Sequence, residues 1–174
     1  MSNITPNVQK IMIPIDSYPC IRVEEPIGSG VALLLQHSSA DNQHLHYEEL
    51  LVLDTNDNLV GMLNITNILS SFFPSILGQL PDQMYAGKKQ AFTDLSVLLG
   101  ENFRVECRRQ ASTSIRQYMR KPHNPIEGSM SLLHALEIMI KDQESILPVT
   151  ENGILAGAVR MADIFRMLGS YCTI

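Results

Sequence analysis

The alternation of apolar and polar positions changes period in a fixed order along this chain, and the same order occurs twice. Asn7 to Met12 predicts a short helix that halts before Pro14, because proline disfavours helix in the residue ahead of it. Ile21 and Val23 alternate with Arg22 and Glu24, the period of a strand. Gly30 to Gln36 is apolar and helix-sized, with Gly28 and Gly30 weakening its start. The polar stretch HSSADNQHLHYEE has no clear period and predicts a loop or irregular insertion. In LLVLDTNDNLVGML, two apolar runs flank Thr55-Asn56-Asp57-Asn58, and Asn and Asp tolerate the positive φ that hairpin turns demand. Ile65 to Phe73 then predicts a helix, stopped by Pro74.

The second half follows suit. Ser114 to Met119 predicts a short helix with Ser112 or Ser114 as N-cap, broken by Pro122 and Pro125. Leu132, Leu133, Leu136, Met139 and Ile140 fall at helical spacing after a capping Ser131. Ile146 to Thr150 and Ile154 to Val159 predict a hairpin around Glu151-Asn152-Gly153, where glycine makes φ > 0 cheap. Ala162 to Leu168 predicts a closing helix with Gly169 as its C′ residue.

Such self-similarity marks an internal repeat. Ile21 aligns with Ile126, Ile27 with Leu132 and Leu34 with Met139; Gly61 then aligns with Gly157 and Leu69 with Phe165. The first copy carries its extra length in the polar insertion, His37 to Glu49. Between the copies, a connector from about Ser75 to Ala111 predicts a helix around Thr93 to Leu99 and then a charged stretch, Glu101 to Arg109.

Composition narrows the functional classes. A net charge of −5 argues against general nucleic-acid binding, which needs clustered Lys and Arg. Cys20, Cys107 and Cys172 lack metal-ligand spacing and fit a reducing cytosol better than a disulfide framework. The N-terminal residues lack the pattern of a signal peptide. Asn58 to Pro81 is uncharged, yet Asn64, Thr66, Asn67 and Pro74 interrupt it, so a strand and buried helix explain it better than a bilayer span. The expectation is a soluble, cytoplasmic protein without membrane insertion.

The ordered set resembles a tandem pair of cystathionine-β-synthase (CBS) domains, a Bateman module. The resemblance rests on VQKIM (Val8 to Met12) and IRQYM (Ile115 to Met119), on the two hairpins, and on the closing segments Gly157 to Ile164 and Gly61 to Ile68. It implies an α/β (α+β) fold in which two pseudo-symmetric β-α-β-β-α units pack into one module. The division expected is residues 1–74 for the first CBS domain, 75–111 for the connector and 112–174 for the second, with no attached domain visible. The family further implies clefts between the halves that take AMP, ADP, ATP or S-adenosylmethionine, a regulatory role relayed to an effector protein, and assembly as a homodimer.

The family's site residues carry over position by position. An ionised carboxylate suits two adjacent ribose hydroxyls, and Asp163 holds that place, with a first-turn helix cap as the plainer reading. Three residues earlier, where the family has Ser or Thr, the chain has Arg160, whose guanidinium suits phosphate. The first copy has Asn64 and Asn67 at these positions, so its site is expected to be weak, altered or empty. Adenine packing falls to Ile126, Ile146 and Pro148, with Ile21 and Leu51 in the first copy; simple core packing is the alternative for each. Arg120, Lys121 and His123 precede the second copy's first strand, where the family places residues near phosphates; a solvated helix end is the alternative.

Other chemistry is less well supported. His37, His44, His46, Glu48 and Glu49 are the densest group of metal-type ligands, and His44 and His46 share a face if extended, yet the segment lacks a Cys pair. Arg104, Arg108, Arg109, Arg116 and Arg120 are interspersed with Glu101 and Glu106, as on a solvated or interface surface. With neither a Gly-rich phosphate loop nor a nucleophile motif, no enzymatic activity is expected. The functional alternative to ligand sensing is a structural dimerisation or docking module with degenerate clefts.

Overall fold

The computed structural model describes residues 6–72 and 101–172. The expected helix at Thr93 to Leu99 and the stop at Pro74 lie outside the described residues. The elements run β1 (Ile13–Pro14), β2 (Cys20–Arg22), α1 (Ile27–Gln36), β3 (Glu49–Leu53), β4 (Leu59–Asn64), α2 (Ile65–Phe72), α3 (Glu101–Gln110), β5 (Ile126–Glu127), α4 (Leu132–Asp142), β6 (Ile146–Glu151), β7 (Ile154–Arg160) and α5 (Met161–Gly169). The two segments expected as short helices are single 3₁₀ turns, Val8–Lys10 and Ile115–Gln117.

These residues form two compact units whose membership departs from chain order. The N-terminal unit runs from Ile21 to Arg120, and the C-terminal unit joins the described residues up to Cys20 to those from Lys121 onward. Each repeat therefore gives its leading 3₁₀ turn to the other repeat's sheet.

In the C-terminal unit the sheet order is β1-β7-β6-β5. β1 lies antiparallel to β7, pairing Ile13 with Ala158 and Pro14 with Gly157, and β5 runs parallel to β6. A Cβ at residue 157 would strike the Ile13 backbone carbonyl, so only glycine lets β1 cross there. Val8, Ile126, Met139, Leu147, Val149 and Ile164 are buried together in this unit's core. Ser131 caps α4, its Oγ accepting from the His134 N–H at 3.3 Å.

The N-terminal unit repeats the plan with order β2-β3-β4, and its core includes Ile21, Ile27, Leu34, Leu50, Leu63 and Ile115. Arg120 takes the place β1 has in the other unit: its N–H donates to the Met62 carbonyl at 2.8 Å, and its carbonyl accepts from the Met62 N–H at 3.0 Å. Ser114 caps the 3₁₀ turn ahead of it. Helix α1 starts at Ile27, earlier than expected, because its glycines serve close packing: a Cβ on Gly30 would lie 3.2 Å from Leu63 Cδ2. Gly28 likewise donates its N–H to the Ala111 carbonyl at 2.8 Å.

One local expectation is corrected. Gly169 is the last residue of α5 rather than a left-handed C′ residue, since Ser170 continues in right-handed helical geometry (φ −61°) and its Oγ takes up the Met167 carbonyl. The polar insertion is a loop, as expected, closed by local bonds: Ser38 bridges Leu45, Ser39 N–H meets the His44 carbonyl at 2.7 Å, and His46 N–H meets the His37 carbonyl at 2.8 Å. Its turn forms because Asn42 accepts φ 56° and the Asp41 carboxylate receives the Gln43 N–H at 3.0 Å. No described helix is long and apolar enough to cross a membrane.

Candidate functional site

At the end of β7 the chain turns directly into α5, and this junction carries the second repeat's polar candidates. Arg160 is the last strand residue and sits opposite Ile146 on β6. It is also the N-cap of α5 and forms no side-chain cap bond. Asp163 lies in the first turn, where the helix dipole favours negative charge. Its carboxylate serves Arg160: Nε donates to Oδ2 at 2.7 Å and Nη2 to Oδ1 at 3.0 Å. The contact is side-on and two-pronged, with only 27 % of the Arg160 side chain and 15 % of the Asp163 side chain exposed.

The corresponding junction, from β4 into α2, is wired differently. Asn67 Oδ1 accepts the Asn64 N–H at 3.1 Å, and Asn64 Oδ1 accepts the Asn67 N–H at 2.8 Å. This reciprocal capping box satisfies two backbone donors at the helix start. Both carbonyl oxygens that could have read a ligand are thus engaged by the backbone.

The apolar candidates separate by sheet face. Ile126 is buried in the core with Leu147 and Val149, and Ile21 is buried in the core with Leu50 and Val52. Strand alternation turns Ile146 and Pro148 to the opposite face, along with Leu51 in the other unit. All three are buried as well. The basic candidates separate by unit. Arg120 lies in the N-terminal unit, where Nε donates to Glu49 Oε1 at 2.8 Å. Lys121 and His123 lie in the C-terminal unit; Lys121 is exposed, and the His123 ring meets the Asn124 carbonyl at 2.7 Å and Asp142 Oδ2 at 3.0 Å.

Glu49 escaped sequence reasoning, which assigned it to the polar insertion. It begins β3, is only 3 % exposed, and pairs across the strand with Asn64. The signal available was its position directly before the apolar run Leu50 to Leu53.

Among the described residues no group of three or more His, Cys, Asp or Glu is placed to hold a metal ion. His37 instead packs edge-on against Tyr47, ring centroids 5.4 Å apart. Burial, aided by the Glu106 charge, raises the Cys107 thiol above its ordinary value, the reverse of what an activated nucleophile needs. In the β3–β4 turn, the Asn58 side chain and backbone N–H hold the Asp54 carboxyl below its ordinary value.

Comparison with known proteins places this geometry. Residues 115–170 match the family model of the CBS domain. No curated protein matches the sequence. Among solved structures, a CBS domain-containing protein of unknown function from Bacillus anthracis shares 17 % identity, with 94 % of this chain and 93 % of that one covered, at a TM-score of 0.64. CBSX2 in complex with AMP shares 16 %, with 97 % and 99 % covered, at 0.63. The CBS domain of the bacterial CNNM/CorC family Mg²⁺ transporter, in complex with ATP, shares 15 %, with 94 % and 87 % covered, at 0.65. The chain has the mixed α/β fold of a tandem CBS pair.

Proposed function

We propose that this chain is a regulatory module that binds an adenine nucleotide at the β7–α5 junction and signals occupancy to a partner protein. The observation that carries the reading is Asp163: a carboxylate in the first turn of α5, at the family's ribose position, held in a fixed orientation. Bound AMP and ATP in two proteins of the same fold support the ligand class. Asp163 receives the ribose hydroxyls, as an ionised acceptor does best. The Asn64–Asn67 junction contributes no charge and has no role in this reading. Cytoplasmic residence and homodimer assembly belong to the same proposal; Leu69 and Phe165, at matching positions on α2 and α5, are 48 % and 75 % exposed.

Thermal shift and calorimetry with AMP, ADP, ATP and S-adenosylmethionine test it. Binding by the wild type that is lost in Asp163→Ala supports the proposal. Absence of binding at millimolar ligand, with the variant indistinguishable, overturns it.

One observation favours a second reading, a structural dimerisation module without ligand. Asn64, Asn67, Arg160 and Asp163 all bond within their own junctions. Nucleotide carried through purification, detected by mass analysis after denaturation, counts against that alternative.

A further inference from the structure

We propose that α3 is the face on which the partner protein docks, through an acidic segment whose carboxylates pair with Arg104 and Arg108 and whose apolar side chain covers Val105. The inference rests on the signalling role proposed above and adds where the signal leaves the chain and what chemistry receives it.

Four arginines of the N-terminal unit, Arg22, Arg109, Arg116 and Arg120, meet the carboxylates of Asp57, Glu106, Glu24 and Glu49 at 2.6–2.8 Å. Arg104 and Arg108 are exposed and meet no carboxylate among the described residues. They lie one turn apart, where like charges weaken a helix, so carboxylates arriving there relieve a cost that the free chain carries. The helix dipole accounts for cations in the last turn, Arg108 and Arg109, but not for Arg104 in the first half of the helix. Val105 is 61 % exposed and lies three residues before Arg108, on the same side.

Burial points the same way. Helices as short as α3 take most of their stability from a packed face. α1 and α2 each have buried residues, whereas α3 touches α2 yet has none fully buried from Arg104 to Gln110. An exposed aliphatic side chain beside two unpaired guanidinium groups has the composition of a protein contact, where arginine is enriched. Nucleic acid fits poorly, since its binding takes more phosphate contacts than two side chains supply.

The chain leaving α3 ties this face to α1. The Thr113 carbonyl accepts the Ile27 N–H and the Ala111 carbonyl accepts the Gly28 N–H, both at 2.8 Å. Ala111 N–H in turn donates to the Cys107 carbonyl at 2.9 Å, which fixes the capping segment to α3. Pro26, the N-cap of α1, forms no side-chain bond, so two otherwise orphaned donors depend on that segment. α4 has its own cap in Ser131. A partner that shifts or steadies α3 therefore acts on the start of α1.

Nuclear magnetic resonance of the isotope-labelled full chain tests the proposal. The probe is a synthetic helical peptide with glutamates one turn apart around a leucine, and the control peptide has glutamine for glutamate. The acidic peptide is expected to move the amide signals of Arg104, Val105 and Arg108 and to slow exchange at Ile27 and Gly28; the control is not. Arg104→Glu combined with Arg108→Glu should weaken binding about tenfold, the worth of two exposed ion pairs, and Val105→Ala about threefold. Thermal melts establish that each variant is folded; should the double reversal fail to fold, Arg104→Gln with Arg108→Gln takes its place. Shifts confined to another face, equal affinity in the double variant, or an equal response to the control peptide overturns the docking face. Binding of phosphatidylglycerol vesicles at these residues, without response to the acidic peptide, overturns it in favour of a membrane surface. Unchanged exchange at Ile27 and Gly28 with peptide bound on α3 refutes the coupling to α1. Calorimetry with AMP keeps the two readings apart: AMP binding without a response at α3 removes the docking face alone. A response at α3 in a chain that binds no AMP removes the nucleotide reading and leaves the docking face standing.

Discussion

Arg120 and Glu49, 71 residues apart in sequence, meet through Nε and Oε1 at 2.8 Å inside the N-terminal unit. The Glu49 side chain is only 5 % exposed, whereas 26 % of Arg120 reaches solvent. At the matching positions the C-terminal unit has Ile146 and Ile13, so the same fold is built there without the charge pair. Removing one member of a buried pair costs more than the pair is worth, because it leaves an uncompensated charge. Arg120→Met is therefore expected to destabilise the chain by about 2 kcal/mol, reduced from the fully buried case by the solvent at Arg120. Adding Glu49→Ile should restore most of the loss. Urea unfolding of the two single variants and the double variant measures this; equal costs for the single and double variants would refute it.

Two glycines at matching positions should differ in their tolerance of alanine. At Gly157 the new methyl strikes the Ile13 carbonyl, and backbone paired into a sheet cannot step aside. At Gly61 the nearest atom is Met119 Sδ at 2.5 Å, the flexible part of a side chain. Gly157→Ala is expected to cost about 2–4 kcal/mol and Gly61→Ala about 1 kcal/mol. Paired denaturation curves give the order, and equal costs would contradict it.

Those glycines also show how far the sequence could be read. The repeat, both hairpins and the caps at Ser114 and Ser131 follow from local chemistry, because period, turn residues and hydroxyl caps act within a few positions. The exchange of leading segments was not legible. It depends on β1 finding Gly157 and on Arg120 finding Met62, pairings between distant positions that no local period encodes. The candidate site divides the same way. Asp163 and Arg160 could be placed by alignment, and their three-residue spacing on a helix start allowed contact. What alignment lacked was the acceptor each side chain would choose, and that choice turned Asn64 and Asn67 into a capping box.

The β3–β4 turn should make the N-terminal unit acid-sensitive. Asp54 accepts from Asn56 N–H at 2.8 Å, Asn58 N–H at 2.9 Å and Asn58 Nδ2 at 3.0 Å, and these bonds favour its charged form. A carboxyl lowered in the folded state adds stability that is fully present above its ordinary value of 3.8. That contribution is lost as pH falls from there through the lowered native value. Melting temperatures measured across this range should drop more steeply for wild type than for Asp54→Asn, which starts lower and is flatter. Parallel curves would remove the turn from the acid response.

The two junctions also predict stoichiometry. A capping box contributes to helix stability on its own account, so Asn64→Ala and Asn67→Ala should each cost about 1 kcal/mol. Their combination should cost less than the sum, because each single variant already breaks the reciprocal arrangement. Since both Asn side chains are spent on the backbone, neither variant should change nucleotide binding, and titration should give one AMP per chain. Asp163→Asn should abolish that single site while leaving the melting behaviour of the Asn64 and Asn67 variants unchanged. A measured stoichiometry of two per chain, with half the binding lost in Asn67→Ala, would show that the box opens to admit a ligand.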